Sequence, residues 1–159
     1  MLVFFDIDGV LADCSHRLHY AKEKNYDMFY SPTVMAGDRP IKDGFELLNM
    51  FWKSDATVWF FTGRPERTRN ITEEWLKMYL PEVMWYRFIK TMVMRKDGDY
   101  RPSPIVKREM FDRMNIDLGK ITATDEPVFF VDDDPENVKR ICDDFRTVTG
   151  IVFGTERLK

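Results

Sequence analysis

A chain of 159 residues with 44% apolar, 14% aromatic and 32% charged side chains has the profile of one core-forming domain, not of a disordered segment. Its net charge of −3 excludes a protein that coats nucleic acid through bulk electrostatics, though not an enzyme that handles the end of a strand. Cys14 and Cys142 match no metal or redox spacing, and the opening apolar run, broken at Asp6, is neither signal peptide nor membrane span, so a cytoplasmic protein is expected.

In chain order, residues 2–7 read as a strand that delivers Asp6 and Asp8 before Gly9 turns the chain. Residues two apart on a strand share a face, so both carboxylates can converge on one small ligand. A short helix is expected over 15–24, carrying His16, Arg17 and His19 toward solvent, then an aromatic loop over 26–30 and turns at Ser31-Pro32 and Gly37-Asp38. Residues 41–52 have helical periodicity, with Ile41, Phe45, Leu48 and Trp52 on one stripe. A continuous apolar strand over 57–61 is broken by Thr62-Gly63-Arg64, and Pro65 and Glu66 start a helix that runs to about Tyr79, where Pro81 stops it.

Residues 88–94 read as a third strand and 96–104 as a polar loop, after which Pro104 opens a helix through Met114. Residues 128–131 form an apolar strand that runs into Asp132-Asp133-Asp134; Pro135 then starts a helix that Asp134 is expected to cap, and 145–153 supply the last strand. Strands alternating with helices predict a parallel sheet with right-handed crossovers, in a three-layer α/β sandwich. Runs such as VWFF and VFFV fit a sheet covered on both faces.

Four chemically meaningful elements fall at strand ends or helix starts. Asp6 and Asp8 come first, then Thr62 with its turn amides, then Lys107 in the first turns of a helix, and last Asp132 and Asp133. Each has an ordinary explanation alone: an Asp-Gly turn, a common tripeptide, a solvated lysine, acids at a helix start. Their occurrence together in this order does not. Asp6, Asp132 and Asp133 focused on one point would repel unless a cation sat between them, and a hard all-oxygen site is the magnesium pattern. Residues 87–108 carry seven Lys/Arg against two Asp, which suits a phosphorylated substrate; residues 123–144 carry eight acids against two bases, which suits a metal.

This order resembles the haloacid-dehalogenase-like phosphatase superfamily in FFDIDGVLAD, FTGR, PIVKREMF and FVDDDPEN, across essentially the whole chain. Val10 departs from the threonine many members have there. A closer resemblance is to the 3′-phosphatase domain of phage-type polynucleotide kinases, through the aromatic insert NYDMFY, the segment MRKDGDYRPSPIVKREMF and the short spacing without a large cap. No GxxxxGK[ST] phosphate loop is present, so the kinase half of such enzymes is not in this sequence.

The resemblance implies a Rossmann-like sheet in a single domain with a small flap inserted at about 14–40. It implies that Asp6 attacks phosphorus, that Asp8 serves as acid and then base, and that Thr62 and Lys107 hold phosphoryl oxygens. Asp6, the Asp8 carbonyl, Asp132 and Asp133 would bind Mg²⁺. Gly63, Arg64, Arg95 and Arg101 are candidate substrate-binding residues, and Tyr26, Phe29, Tyr30 and Tyr100 candidate stacking surfaces. The expected substrate is a 3′-phosphate on a DNA or RNA end or a nucleotide. A small-molecule phosphatase and a phospho-aspartate signalling domain remain open as alternatives.

Overall fold

The computed structural model describes residues 1–88, 91–119 and 125–154. Five strands form a parallel sheet: β1 (Leu2–Phe5), β4 (Thr57–Pro65), β5 (Met92–Arg95), β6 (Val128–Asp132) and β7 (Val148–Val152), in the order β5-β4-β1-β6-β7. The central strands are apolar on both faces because helices cover both. Val3 and Phe5 face α4 (Lys42–Lys53), α5 (Arg69–Tyr79) and α6 (Glu82–Phe88), in a core that includes Leu48, Trp75 and Trp85. Leu2 and Phe4 face α7 (Ser103–Asp117) and α8 (Pro135–Asp144), with Val106, Phe111, Val138 and Ile141.

On that second face Phe4, Phe61, Phe111 and Phe130 meet edge to face, with centroids 5.0 to 6.3 Å apart. Each is fully buried, which stabilises the fold by about 1.5–3 kcal/mol per ring. The sheet is therefore a rigid platform at its carboxyl edge, where open α/β sheets bind ligands. The expected three-layer α/β architecture is the one observed.

Between β1 and α4 the chain forms a two-residue antiparallel ribbon, β2 (Ala12–Asp13) against β3 (Arg39–Pro40). This ribbon closes off a 3-10 turn at Ser15–Arg17 and three short helices, α1 (Leu18–Lys22), α2 (Tyr26–Phe29) and α3 (Pro32–Met35). The single helix expected over 15–24 is thus split. The aromatic stretch expected as a loop is helical, because the Asn25 side chain accepts from the Met28 amide at 3.2 Å. Ser31 caps α3 in the same way, with Pro32 at its first position.

The largest departure lies at 88–94, expected to be one strand. Phe88 instead ends α6, whose Met84, Trp85 and Phe88 face the core, and β5 begins only at Met92; residues 89–90 lie outside the described residues. A short apolar run satisfies either period, so its sequence cannot separate helix end from strand. Pro81 accepts from the Met84 and Trp85 amides and so starts α6 as well as ending α5. Elsewhere the elements fall near their expected places, with β1 ending at Phe5 and β4 running on to Pro65. Among the described residues no helix is long and apolar enough to cross a membrane.

Candidate active site

Side-chain parity explains why the acids meet. Leu2 and Phe4 on β1, and Val128 and Phe130 on β6, face the layer that contains α7. Continuing each alternation by two residues gives Asp6 and Asp132 on that same face. The strands are in register, Phe5 beside Val131, and the Asp6 amide donates to the Val131 carbonyl at 2.9 Å. Lys107 comes from the first turns of α7, directly over the two strand ends.

Lys107 Nζ lies 2.7 Å from Asp6 Oδ2 and 2.6 Å from Asp132 Oδ2. All three side chains are buried. Burial favours a neutral lysine, but Asp132 and Asp6 beside it outweigh that and keep it protonated. Asp132 is further fixed through Oδ1, which accepts from the Asp134 amide and from Asn137 Nδ2, both at 3.0 Å. Asp134 itself caps α8, as expected, by accepting from the Glu136 amide.

Asp6 Oδ1, by contrast, is buried with no hydrogen-bond partner. Carboxylate oxygens of Asp6, Asp132 and Asp133 lie within 4.8 Å of one another. Burial pushes the Asp6 carboxyl well above its usual range, and Asp132 and Asp133 push it further against the pull of Lys107. Asp133 reaches the surface, yet the setting of its carboxyl group raises it to about 6, through desolvation and then the nearby Asp132. Three oxygen donors with surplus negative charge and an orphaned buried oxygen fit a hard divalent cation such as Mg²⁺. Gly9 holds Asp133 close: its φ is +79°, and a Cβ there would lie 2.0 Å from Asp133 Oδ2.

Asp8 belongs to a second cluster. Its Oδ1 accepts from Arg64 Nη2 at 2.6 Å and from Arg17 Nη2 at 2.8 Å. Both guanidiniums also bind Asp38, Arg17 through Nε at 2.8 Å and Arg64 through Nη2 at 2.7 Å. Arg64 reaches on to Thr72, and Arg17 lies 4.3 Å over the Phe29 ring. Burial alone would raise the Asp8 carboxyl, but Arg64 and Arg17 overcome it and hold the group below its ordinary value. In the free protein Asp8 is a carboxylate.

A cavity of about 560 Å³ is lined in part by Asp6, Asp8, Gly63, Arg95, Lys107, Asp133 and Asn137. Three expectations change at this cavity. Thr62 shares parity with Val58 and Phe60, is wholly buried, and its Oγ1 accepts from the Arg64 amide at 3.2 Å; Gly63 lines the cavity in its place. Arg64 is 1% exposed and spent on Asp8 and Asp38 instead of facing substrate. Arg101 is held by Asp99 and Glu109 and lies outside this cavity.

Arg17, expected on a solvent-facing helix, is 0% exposed, and with Asp38 it is what sequence reasoning missed. Its one signal was position, nine residues after Asp8; the partner that makes it structural lies 21 residues further on. Asn137 was also unforeseen, although its place one turn into α8 makes it a neighbour of Asp132.

With the geometry in place, comparison supplies the kinship. The family model for the "polynucleotide kinase PNKP phosphatase domain" matches residues 1–151. No curated protein matches the chain. Among solved structures, a chain of the Pnkp1/Rnl/Hen1 RNA repair complex superposes with a TM-score of 0.68 at 22% identity, over 97% of this chain and 43% of that one. A haloacid-dehalogenase-like family hydrolase from Streptococcus pneumoniae superposes with a TM-score of 0.57 at 12% identity, over 94% of this chain and 82% of that one. At such identities the superpositions establish the fold, and this chain spans less than half of the repair-complex protein. The family match goes further: the chain belongs to the polynucleotide kinase PNKP phosphatase domain family and is a haloacid-dehalogenase-like phosphatase.

Proposed function

We propose that this protein is a Mg²⁺-dependent phosphomonoesterase that works through an aspartyl-phosphate on Asp6 and acts on the 3′-phosphate of a polynucleotide. The observation that carries the reading is the Asp6 carboxylate: one oxygen is held by Lys107, the other is buried and unpartnered, and the Asp8 carboxylate opens onto the same cavity. Asp6, Asp132, Asp133 and the Asp8 carbonyl are the groups that would hold Mg²⁺. When bound there, the ion would offset the mutual repulsion of the acids and favour the ionised Asp6.

Asp6 is the nucleophile, since it lines the cavity and has one oxygen unpartnered, while Asp132 is tied at both oxygens. Lys107 orients Asp6 and, buried and charged, balances charge as the phosphoryl group transfers. Arg17 and Arg64 fix the Asp8 carboxyl beside the leaving oxygen. As a carboxylate, Asp8 is ready to take a proton from the water that cleaves the aspartyl-phosphate. The proton it gives the leaving alcohol in the first step comes with substrate, because phosphate charge next to Asp8 raises its proton affinity. Thr62 acts through the turn it shapes, with Gly63 presenting the cavity surface.

The polynucleotide end is supported by the family match and by the neighbourhood of the site, where Arg95 lines the cavity and Phe29 and Tyr30 wall it. The test is phosphate release with Mg²⁺ from a 3′-phosphorylated oligonucleotide, its 5′-phosphorylated twin and free mononucleotides, with Asp6→Asn as control. The 3′ end should be strongly preferred and Asp6→Asn should be inactive. Equal turnover of all three would overturn the substrate, and turnover by Asp6→Asn would overturn the nucleophile.

A further inference from the structure

Next to the catalytic cavity lies a second one of about 350 Å³, which shares Phe29, Tyr30, Arg95 and Ser103 with it. Phosphoryl transfer uses none of its remaining surface. Its volume is at the lower end of the range for small-ligand sites, roughly 300–1,000 Å³. Tyr26 from α2 and Tyr100 from the loop before α7 meet there with rings 5.3 Å apart and only 22° from parallel. Tyr100 is 54% exposed even with Tyr26 against it. Arg67, Arg95, Lys96 and Arg101 line the same cavity against a single acid, Asp99. A flat aromatic wall edged by cations is the surface on which nucleobases stack.

Arg95 joins the two cavities. Its Nη1 donates to the Asp99 and Arg101 carbonyls at 3.1 and 3.2 Å, which pins the loop that carries Tyr100. Its Nε is buried and has no partner. On the other side, a Cβ added at Gly63 would lie 3.6 Å from Arg95 Nη2 and 3.9 Å from Lys107 Cε, so the guanidinium and the lysine flank one point. Arg95 therefore has donor capacity left between the phosphoryl position and the tyrosine wall.

We propose that the second cavity is a nucleobase subsite: the base of the phosphorylated 3′-terminal nucleotide stacks on the Tyr26–Tyr100 wall, and Arg95 bridges from it to the phosphate. The assignment rests on the polynucleotide reading above and adds where the nucleotide lies. It makes recognition tolerant of base identity, because every base has a π-face, and dependent on a base being present.

The experiment compares a 3′-phosphorylated oligonucleotide with the same strand made abasic at its last residue, in wild type, Tyr100→Ala and Tyr100→Phe. With the base present, Tyr100→Ala should raise KM by about 5- to 100-fold with kcat little changed, and Tyr100→Phe should stay within about twofold of wild type. On the abasic strand the three proteins should agree within about twofold. A binding readout independent of turnover accompanies this: fluorescence anisotropy of a labelled 3′-hydroxyl oligonucleotide should show the same loss for Tyr100→Ala. Equal use of base-bearing and abasic ends by wild type, or an equal loss on both in Tyr100→Ala, would overturn the subsite. Phosphate release by wild type from the base-bearing oligonucleotide separates the two claims. No release there overturns the phosphatase reading, while the anisotropy still decides the subsite.

Discussion

Two charge clusters adjoin in this protein, and they are built on opposite terms. Arg17, Arg64, Asp8 and Asp38 balance two cations against two acids, and each guanidinium bridges both carboxylates. Asp6, Asp132 and Asp133 outnumber Lys107, and one Asp6 oxygen has no partner. Buried polar groups ordinarily find partners, and a charged one left without costs the fold. The satisfied cluster is thus the frame, and the unsatisfied one is where a cation and a phosphate would complete the structure. Asp8 belongs to the frame yet faces the same cavity, two residues from Asp6. The proposed acid/base is held in place by charges that do not themselves line the cavity.

That contrast can be broken first at Arg17. Arg17→Met leaves Asp8 and Asp38 short of a buried partner, so stability should fall by about 3–5 kcal/mol. In a domain of this size that lowers Tm by roughly 6–20 °C, measurable by calorimetry. A fall under about 1 kcal/mol would mean the cluster is no frame. Lys107→Met tests the other half: kcat for phosphate release should drop by about 10²–10³-fold.

A third test uses pH and metal. Asp133 titrates near 6 in the folded chain, above its ordinary 3.8, so its protonated form stabilises the metal-free fold at low pH, and that contribution is lost as pH rises through about 6. A bound cation replaces the proton. The rise in Tm on adding Mg²⁺ should therefore grow from pH 5 to pH 7.5, approaching a stabilisation of about 2.7 kcal/mol at 100 times Kd. A pH-independent shift would remove the carboxylates from the metal site. The smallest effect is expected at Tyr30, whose hydroxyl donates to the Gly63 carbonyl at 3.3 Å and ties the insert to the turn after β4. Tyr30→Phe should cost about 0.5–1.5 kcal/mol, a few degrees in Tm.

The candidate catalytic half is legible in the sequence because its acids sit at ends of strands that announce themselves. VFF and VFFV are apolar on both faces, so the aspartates that follow fall at the sheet edge, and strand alternation alone puts Asp6 and Asp132 on one side. Lys107 is legible from its order among the motifs; a lysine on a helix otherwise reads as solvated. The frame is not legible. Arg17 pairs with Asp38 across the insert and with Asp8 across a turn, and pairings at that distance leave no periodic trace. Arg64 misleads for the same reason: its tripeptide suggests a phosphate grip, whereas its length carries it inward to Asp8. Phe88 and Met92 read as one strand because a short apolar run fits both periods.

The central claim is that Asp6 forms a covalent bond to phosphorus, and the stereochemical course tests it most directly. A 3′-phosphorothioate ester made chiral at phosphorus with two oxygen isotopes is hydrolysed in water labelled with the third, and the configuration of the released thiophosphate is read. Displacement by Asp6 followed by displacement by water inverts twice, so net retention is predicted. Net inversion would mean that water attacks the ester directly, and it would contradict a nucleophilic Asp6.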